Sequence, residues 1–509
     1  MKKIFLCLSV LFVFAAVSCQ KDDQLNFISA AIERYHASGK VYVEDNVAHW
    51  NTDDTVSING YDEKVRIDGD EAQISLSHPD ADCYYALFPA RISQSFSNNQ
   101  YSVVLPSIQE LRTDSEGRQL ISGVMAAVGS NSLQFRNLTS LLCLQLPTSI
   151  SVTCISVVAR NSDNEIIPLC GNTTVGFSDG VPSLGPLSNG DSVMLVCPPQ
   201  YRANRSRFYI VLPPVKEAKL TIRVTFICNG KICSKSFSQS SATNIMPANA
   251  IANVAKNIDQ LGEVPVGRFS ISSSQKVCFS QGNLQYIGSA ASPYWKFADN
   301  QYDFLGSAQG STAVNIDRDL FGWGTSGATI SGTTLHPYLT TTDATKYFTG
   351  NVLTDQSDWG KRNSIRNGGT GWYTLSKAQW NYLLFTRASS YAKATVNNVP
   401  GVVLLPDGYH HPLSSSLNGI KTSDALYSSN TISLTQWILM ESQGAVFLPA
   451  AGYRYGTTMS DVNVVGRYWA SDLTGNALTV YYCQFSNGTM NILTRENCYG
   501  HAVRLVHSL

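Results

Sequence analysis

Charge is scarce in this chain of 509 residues. Only 15% of it is Asp, Glu, Lys or Arg, and 37 basic residues balance 37 acidic ones. No basic stripe runs along the sequence, so the electrostatic footprint of nucleic-acid binding is missing. No CxxC pair occurs among the 12 cysteines, which leaves a zinc knuckle without support. GxSxG, HExxH and the EF-hand loop are missing as well, and with them the commonest marks of a hydrolase elbow, a zinc protease and a calcium loop. The N-terminal apolar run from Ile4 to Val17, interrupted by Cys7 and Ser9, is too short to cross a bilayer core, which takes about 20 residues. What is present is globular: 43% hydrophobic and 10% aromatic residues, enough for sizeable cores. The length suits about three to four domains.

Lys2 and Lys3 precede the apolar run, and small residues follow it up to Cys19. A positive start, a short apolar middle and a small-residue end make a cleaved secretory signal. Ala16-Val17-Ser18-Cys19 resembles the bacterial lipobox, although Leu is more usual at the position of Ala16. The resemblance implies cleavage before Cys19 and a diacylglyceryl group on its thiol, so that the partner of this end is outer-membrane lipid. Two or three acyl chains anchor stably where one is marginal. The competing reading is an ordinary signal peptide with a chance cysteine. Gln20-Lys21-Asp22-Asp23 is similar to the short charged tag that sends some lipoproteins of Gram-negative anaerobes to the cell surface. The expected location is therefore the outer membrane, lipid-anchored and surface-exposed.

With Cys7 removed and Cys19 lipidated, ten cysteines remain. Cys83, Cys143, Cys154, Cys170, Cys197 and Cys278 sit singly in apolar or mixed stretches and read as small hydrophobes. A two-residue hairpin at Asn229-Gly230 would oppose Cys228 to Lys231 and not to Cys233. Cys483 and Cys498, around Asn487-Gly488, also fall out of register.

Up to about residue 260 the pattern is almost entirely β. Short runs such as Gln73 to Leu76, Leu141 to Leu146 and Leu220 to Phe226 alternate with turn clusters. Asn59-Gly60, Asn189-Gly190 and Asn229-Gly230 supply the positive φ of tight hairpins. Strands spaced in this way bury one face against a second sheet, which predicts two β-sandwiches. Asn26 to Arg34 reads equally as helix or strand. Several stretches then occur in a telling order: His49-Trp50-Asn51-Thr52-Asp53-Asp54-Thr55-Val56, Tyr84-Tyr85-Ala86-Leu87-Phe88-Pro89, Leu133 to Leu142 with Phe135 and Asn137, Ile210-Val211-Leu212-Pro213-Pro214, and Asn249-Ala250-Ile251. This order resembles the fimbrillin-like proteins, the pilin and accessory subunits of type V pili. The resemblance implies two transthyretin-like β-sandwich lobes, a first strand at Asn26 to Arg34, and a role in surface structure or adhesion. Pilins that polymerise exchange a terminal strand, which is β-augmentation. Here another domain follows, so a tip or accessory subunit or a free-standing adhesin fits better than a stalk subunit.

From about residue 268 the texture changes, and Trp295, Trp323, Trp359, Trp372, Trp380, Trp437 and Trp469 are seven of the eight tryptophans. Ser376 can cap a helix from Lys377 to Arg387, and Thr435 one from Gln436 to Ser442 that ends at Gly444. Strands are expected at Ala445 to Leu448, Leu478 to Phe485 and Ala502 to Val506. Phe279 to Tyr286, Asp319 to Gly324, Asp358-Trp359-Gly360, Gly401 to Gly408, Phe447 to Arg454, Tyr468 to Ser471 and Val503 to Val506 together resemble a C-type-lectin-like domain related to the sulfatase-modifying-factor group. That resemblance implies an α+β fold with ligand-binding variation in long loops. Its catalytic branch uses two nearby cysteines, and Cys483 and Cys498 lack that spacing. Its calcium-binding branch uses Glu-Pro-Asn or Gln-Pro-Asp with a later Trp-Asn-Asp, and Leu405-Pro406-Asp407 lacks the leading amide or carboxylate.

Other motifs carry less. Gly322-Trp323-Gly324-Thr325-Ser326-Gly327 spells GxGxxG, but no helix is expected after it, so it reads as a loop. His410-His411 lacks a third metal ligand nearby. Paired carboxylates for glycoside chemistry cannot be judged from spacing across loops. Trp323, Trp359, Trp372 and Trp469 are the ligand-stacking candidates, weighed against filling a core. Thr55 and Ser192 sit in Asp-Thr-Val and Asp-Ser-Val, which resemble an O-glycosylation signal.

The expected fold is multidomain. It has a signal peptide at 1–18, a lipidated tether at 19–24, all-β transthyretin-like sandwich lobes at 25–185 and 186–260, a linker at 261–267, and an α+β C-type-lectin-like domain at 268–509. The expected function is non-enzymatic, with no cofactor: a cell-surface adhesin or pilus tip or accessory subunit, whose partners are pilin subunits or a host or glycan ligand. The alternative is a surface glycan-binding protein of a nutrient-uptake system.

Overall fold

The computed structural model describes residues 27–33, 36–38, 50, 54–68, 71–77, 81–188, 190–242, 246–256, 264–352, 357–388, 391–412 and 416–509. The expected signal peptide, Cys19, the tether and the Asn189 turn position lie outside them.

Strict alternation builds the first lobe. In Ser132–Asn137 the side chains of Leu133, Phe135 and Asn137 point inward while those between them face out. This strand pairs with Met125–Gly129, and the ring continues through Tyr84–Phe88, Thr55–Ile58, Tyr61–Asp68, Glu71–Ser75 and Phe27–Ile32 back to Ser132–Asn137. Phe27–Ile32 is thus a strand, which decides the open choice at Asn26 to Arg34. Ile28, Val56, Ile58, Ile74, Ala86, Leu133 and Phe135 fill the ring, and Trp50 meets Phe88 and Phe135 edge-on. A second sheet, Ser93–Ser97, Gln100–Leu105, Gly171–Ser178 and Val181–Leu184, packs Tyr101, Val103 and Val175 on the outer wall at Leu87 and Ala126. The lobe is therefore a sandwich with one layer closed into a barrel, which leaves that layer no free edge.

The second lobe packs two sheets face to face around Leu142, Leu144, Ile155, Val157, Phe208, Ile210, Leu212 and Val224. One sheet runs Arg207–Leu212, Ser140–Gln145, Ala250–Ala255 and His36–Ser38. The other runs Lys231–Ser238, Lys219–Cys228, Ser151–Arg160, Val193–Val196 and Ile108–Glu110. A lobe boundary at residue 185 is thereby corrected: strands from 36, 108, 140 and 151 already belong to the second lobe, while 171–184 belongs to the first. The chain crosses between the lobes several times, and a linear division cannot represent that.

Arg207–Leu212 is a sheet edge, and two glutamines close it. The Gln109 amide donates to Val211 O at 2.7 Å and accepts from Val211 N at 2.9 Å. Gln119 does the same at Tyr209, at 2.7 and 2.9 Å. Each side-chain amide takes the place of a neighbouring peptide group, and this blunts an edge that would otherwise recruit another strand.

The C-terminal part is α+β. One sheet runs Phe269–Ser270, Lys276–Phe279, Leu505–Ser508 and Trp372–Thr374, so that strands from the start and the end of this part pair. A second contains Leu320–Phe321, His501–Ala502, Gly466–Leu473, Thr479–Ser486 and Thr489–Glu496. A third contains Thr431–Ile432, Tyr391–Val396, Val399–Leu404 and Val446–Pro449. The helices are α1 (Trp359–Arg362), α2 (Lys377–Asn381) and α3 (Leu434–Ser442). Ser376 caps α2 reciprocally with Gln379, and a single π-turn, Tyr382–Thr386, carries the helix on to Arg387. The cap of α3 is Ser433 and not Thr435, because Gln436 stands three residues on and completes the capping box. The expected strand at Ala502 to Val506 is two strands, since Val503 and Arg504 turn into the interior between them.

The junction of this domain with the second lobe is built from α3. Ile438 and Leu439 bury against Cys154 and Val196. Gln281 N donates to Gly230 O at 2.7 Å, at the tip of the Asn229-Gly230 hairpin, and Val266 N donates to Ile232 O at 3.0 Å. In that hairpin Cys228 faces Lys231, as the turn geometry requires. None of the ten cysteines from Cys83 onward is bonded to another, and Cys83 and Cys228 are the two only half-buried.

Candidate functional site

The four tryptophans expected to stack on a ligand do not face solvent. Trp323, Trp359 and Trp372 are 0% exposed and Trp469 is 1%. Trp323 meets Trp469 at 5.6 Å and Trp359 at 6.3 Å, and Trp372 meets Phe297 at 4.8 Å. Three indole N–H groups donate to backbone carbonyls, of Gly350, Gly368 and Phe321. Short strands and long loops supply little regular apolar surface, so the large rings fill the core themselves. Thr55 lies in a barrel strand and Ser192 just before Val193–Val196, both half-buried.

The carboxylates of the C-terminal domain act mainly inside the fold. Asp358 Oδ1 caps α1 through Gly360 N and Lys361 N, and its Oδ2 accepts from Thr374 N. Burial pushes its carboxyl up despite these bonds. Asp319 accepts from Leu305 N and from the Gln309 amide, and burial pushes it up to about 6. Asp407, the acid beside Pro406, pairs with Arg387 and Lys276 at 3.2 Å each and accepts from Ser270 Oγ at 2.6 Å. Its role is to tie strands together. The GxGxxG stretch is a loop, with Gly324 and Gly327 at φ +69° and +83°. No grouping of three metal-ligating side chains exists among the described residues, His410 and His411 included.

A different cluster gathers on one face of the sheet that contains Gly466–Leu473, Thr479–Ser486 and Thr489–Glu496. In this register Arg467 stands opposite Gln484, Trp469 opposite Tyr482, and Val480 opposite Arg495. The period of two puts Arg467, Tyr482, Gln484 and Arg495 on the face away from Tyr468, Cys483 and Phe485. Tyr453–Tyr455 docks beside it through the Arg454–Gly500 bridge, so that Tyr453 and Tyr455 share one side. The Arg467 guanidinium lies over the Tyr453 ring at 3.7 Å, and its Nε donates to Gln484 Oε1 at 2.9 Å. Arg495 lies over Tyr499 at 4.2 Å and donates to the Tyr499 hydroxyl at 2.9 Å. Tyr455 stacks on Tyr499 at 4.5 Å and is 39% exposed.

His501 forms the floor. It is 0% exposed, stacked on Trp469 at 4.0 Å and 4.6 Å from Tyr482. Burial first, and then the charges of Arg467, Arg495 and Arg454, hold its pKa well below the usual value. The ring is therefore neutral, with one donor and one acceptor nitrogen. Neither nitrogen has a partner, nor do Arg467 Nη1 and Arg495 Nε. No carboxylate forms an ion pair with Arg454, Arg467 or Arg495 among the described residues. Buried donors without partners cost about 1–3 kcal/mol each. The sequence did carry a signal for this cluster: the alternation Tyr453-Arg454-Tyr455, with Tyr481-Tyr482 and Tyr499 nearby.

No family model and no curated protein matches the chain. Solved structures similar to it include a candidate cell adhesion protein of Bacteroides ovatus, 9% identical with a TM-score of 0.29, over 47% of this chain and 95% of that one. A candidate cell adhesion protein of Bacteroides uniformis is 10% identical with a TM-score of 0.27, over 41% and 88%. A fimbrial protein of Bacteroides ovatus is 10% identical with a TM-score of 0.24, over 94% and 99%. At such scores nothing about activity or partners carries over from them.

Proposed function

We propose that the chain is a non-enzymatic cell-surface lipoprotein of the adhesin or pilus-accessory kind, with recognition on its C-terminal domain. The observation that supports this most is the Arg467–Arg495–tyrosine cluster over His501. Its arginines form no ion pair among the described residues, and Arg467 Nη1, Arg495 Nε and both His501 nitrogens lack partners, on a domain seated on a β lobe through α3. Recognition surfaces concentrate aromatic and arginine side chains in this way. The short helices, short strands and long loops of the C-terminal domain suit the C-type-lectin-like reading, and the two β lobes suit the fimbrillin-like one. Under this reading the lobes act as a spacer between the lipid at Cys19 and the recognition face. A surface glycan-binding protein serving nutrient uptake would use the same face. A neighbouring gene for a pilin, as against an outer-membrane transporter, separates the two.

Metabolic labelling with palmitate, together with antibody staining against residues 268–509 on intact cells, tests the anchoring and display. Label in the wild-type chain and none in Cys19→Ala, with staining before permeabilisation, is the expected result. An unlabelled chain, or staining only after permeabilisation, contradicts the reading.

A further inference from the structure

We propose that Tyr453, Tyr455, Arg467, Arg495 and Tyr499, over the buried His501, form a binding site for a carboxylate-bearing saccharide. This rests on the recognition reading above and names the ligand class for that same face. Arginine meets a carboxylate with two parallel N–H donors, and Arg467 and Arg495, both half-exposed, make no ion pair among the described residues. The acid that acts on Arg467 is the exposed Asp461, which makes no ion pair with it among the described residues.

The aromatic share of the site decides for a sugar over an acidic peptide. Tyr453 and Tyr499 cover the two arginines at 3.7 and 4.2 Å, so each cation lies against a flat aromatic face and the two do not form a basic run. A pyranose ring brings an apolar face to such a platform and a single carboxylate to the cations. An acidic peptide brings several charges and would need more cations than the two half-exposed ones present. Tyr455, stacked on Tyr499 and partly open to solvent, stands where an incoming ring first makes contact.

The test is calorimetric titration of the full mature chain with tri-galacturonate, glucuronate-ended and N-acetylneuraminate-ended oligosaccharides, their methyl esters, neutral counterparts and a hexaglutamate peptide. Saturable binding of at least one free acid, at least 10-fold weaker for its methyl ester and weakening with salt, is expected. Arg467→Gln and Tyr455→Ala should each weaken it at least 10-fold with an unchanged melting temperature, and Arg467→Lys should rescue only in part. Equal binding of esters or neutral sugars, tighter binding of hexaglutamate, indifference to the substitutions, or no binding at millimolar concentration of any free acid overturns the proposal. A chain that is lipidated, displayed and retains some other ligand while ignoring every acid keeps the general reading and loses this site.

Discussion

Gly230 and Phe297 meet where the second lobe enters the C-terminal domain: a Cβ on Gly230 would lie 2.7 Å from Phe297 Cε2 and 3.0 Å from Gly368 Cα. Gly230 also needs its φ of +71° for the hairpin. The position is therefore constrained twice, once by the turn and once by the neighbouring domain. Gly230→Ala should cost about 2–5 kcal/mol, the sum of a left-handed alanine and an overpacked contact. Gly488, at φ +78° with nothing within 4 Å of its Cβ position, is the control, and its alanine variant should lose only the backbone part. Urea unfolding of both variants checks this. Equal losses would mean that the junction is not packed as described.

The glutamine seal on Arg207–Leu212 makes a second prediction. Gln109→Ala leaves Val211 N and O without their side-chain partners, at a cost of about 1–3 kcal/mol, and opens the sheet edge. Light scattering should then show faster association on warming than in the wild type, and the Gln109→Ala, Gln119→Ala pair should associate faster still. Unaltered scattering in the double variant would count against an edge-capping role.

Asp319 sets a pH dependence. Its folded pKa, about 6, lies above the usual 3.8, so the folded state holds the proton more tightly than the unfolded one. The unfolded chain binds fewer protons between these values, and stability falls as pH rises through that window, by about 3 kcal/mol from this group alone. Asp319→Asn should remove this share of the decline between pH 4 and 6.5. Denaturation midpoints across the window give the comparison, and parallel curves for the two proteins would rule the effect out.

Thr55 and Ser192 remain the proposed O-glycan acceptors. Protein purified from its own host should release glycan on alkaline β-elimination, and Thr55→Ala with Ser192→Ala should lower its mass by the released amount. Native protein whose mass equals that of the lipidated polypeptide without glycan removes the assignment.

Local chemistry in this chain was legible, and long-range arrangement was not. The Asn59-Gly60 and Asn229-Gly230 hairpins and the Ser376 cap depend on residues within four positions of each other, so the sequence announces them. Ser433 was missed because Thr435 is also a capping residue, and only the reach of Gln436 back to Ser433 distinguishes the two. The lobe division failed because His36–Ser38 and Ile108–Glu110 pair with strands at 250–252 and 194–196, a pairing that no local pattern encodes. The tryptophans were candidates because they are large and numerous, whereas their burial depends on loops folding over them. The site cluster was hidden for the same reason: Tyr453, Arg467, Arg495 and His501 lie up to 48 positions apart and meet only when the sheet forms.

The most direct test of recognition on the C-terminal domain is a broad glycan-array and pull-down screen. It compares the full mature chain with its Tyr455→Ala, Arg467→Gln double variant. Saturable retention by the wild type, abolished in the double variant while both proteins unfold at the same temperature, is the predicted result. Absence of any retained glycan, with a pilin subunit captured equally by both proteins, would contradict it and move the working surface to the β lobes.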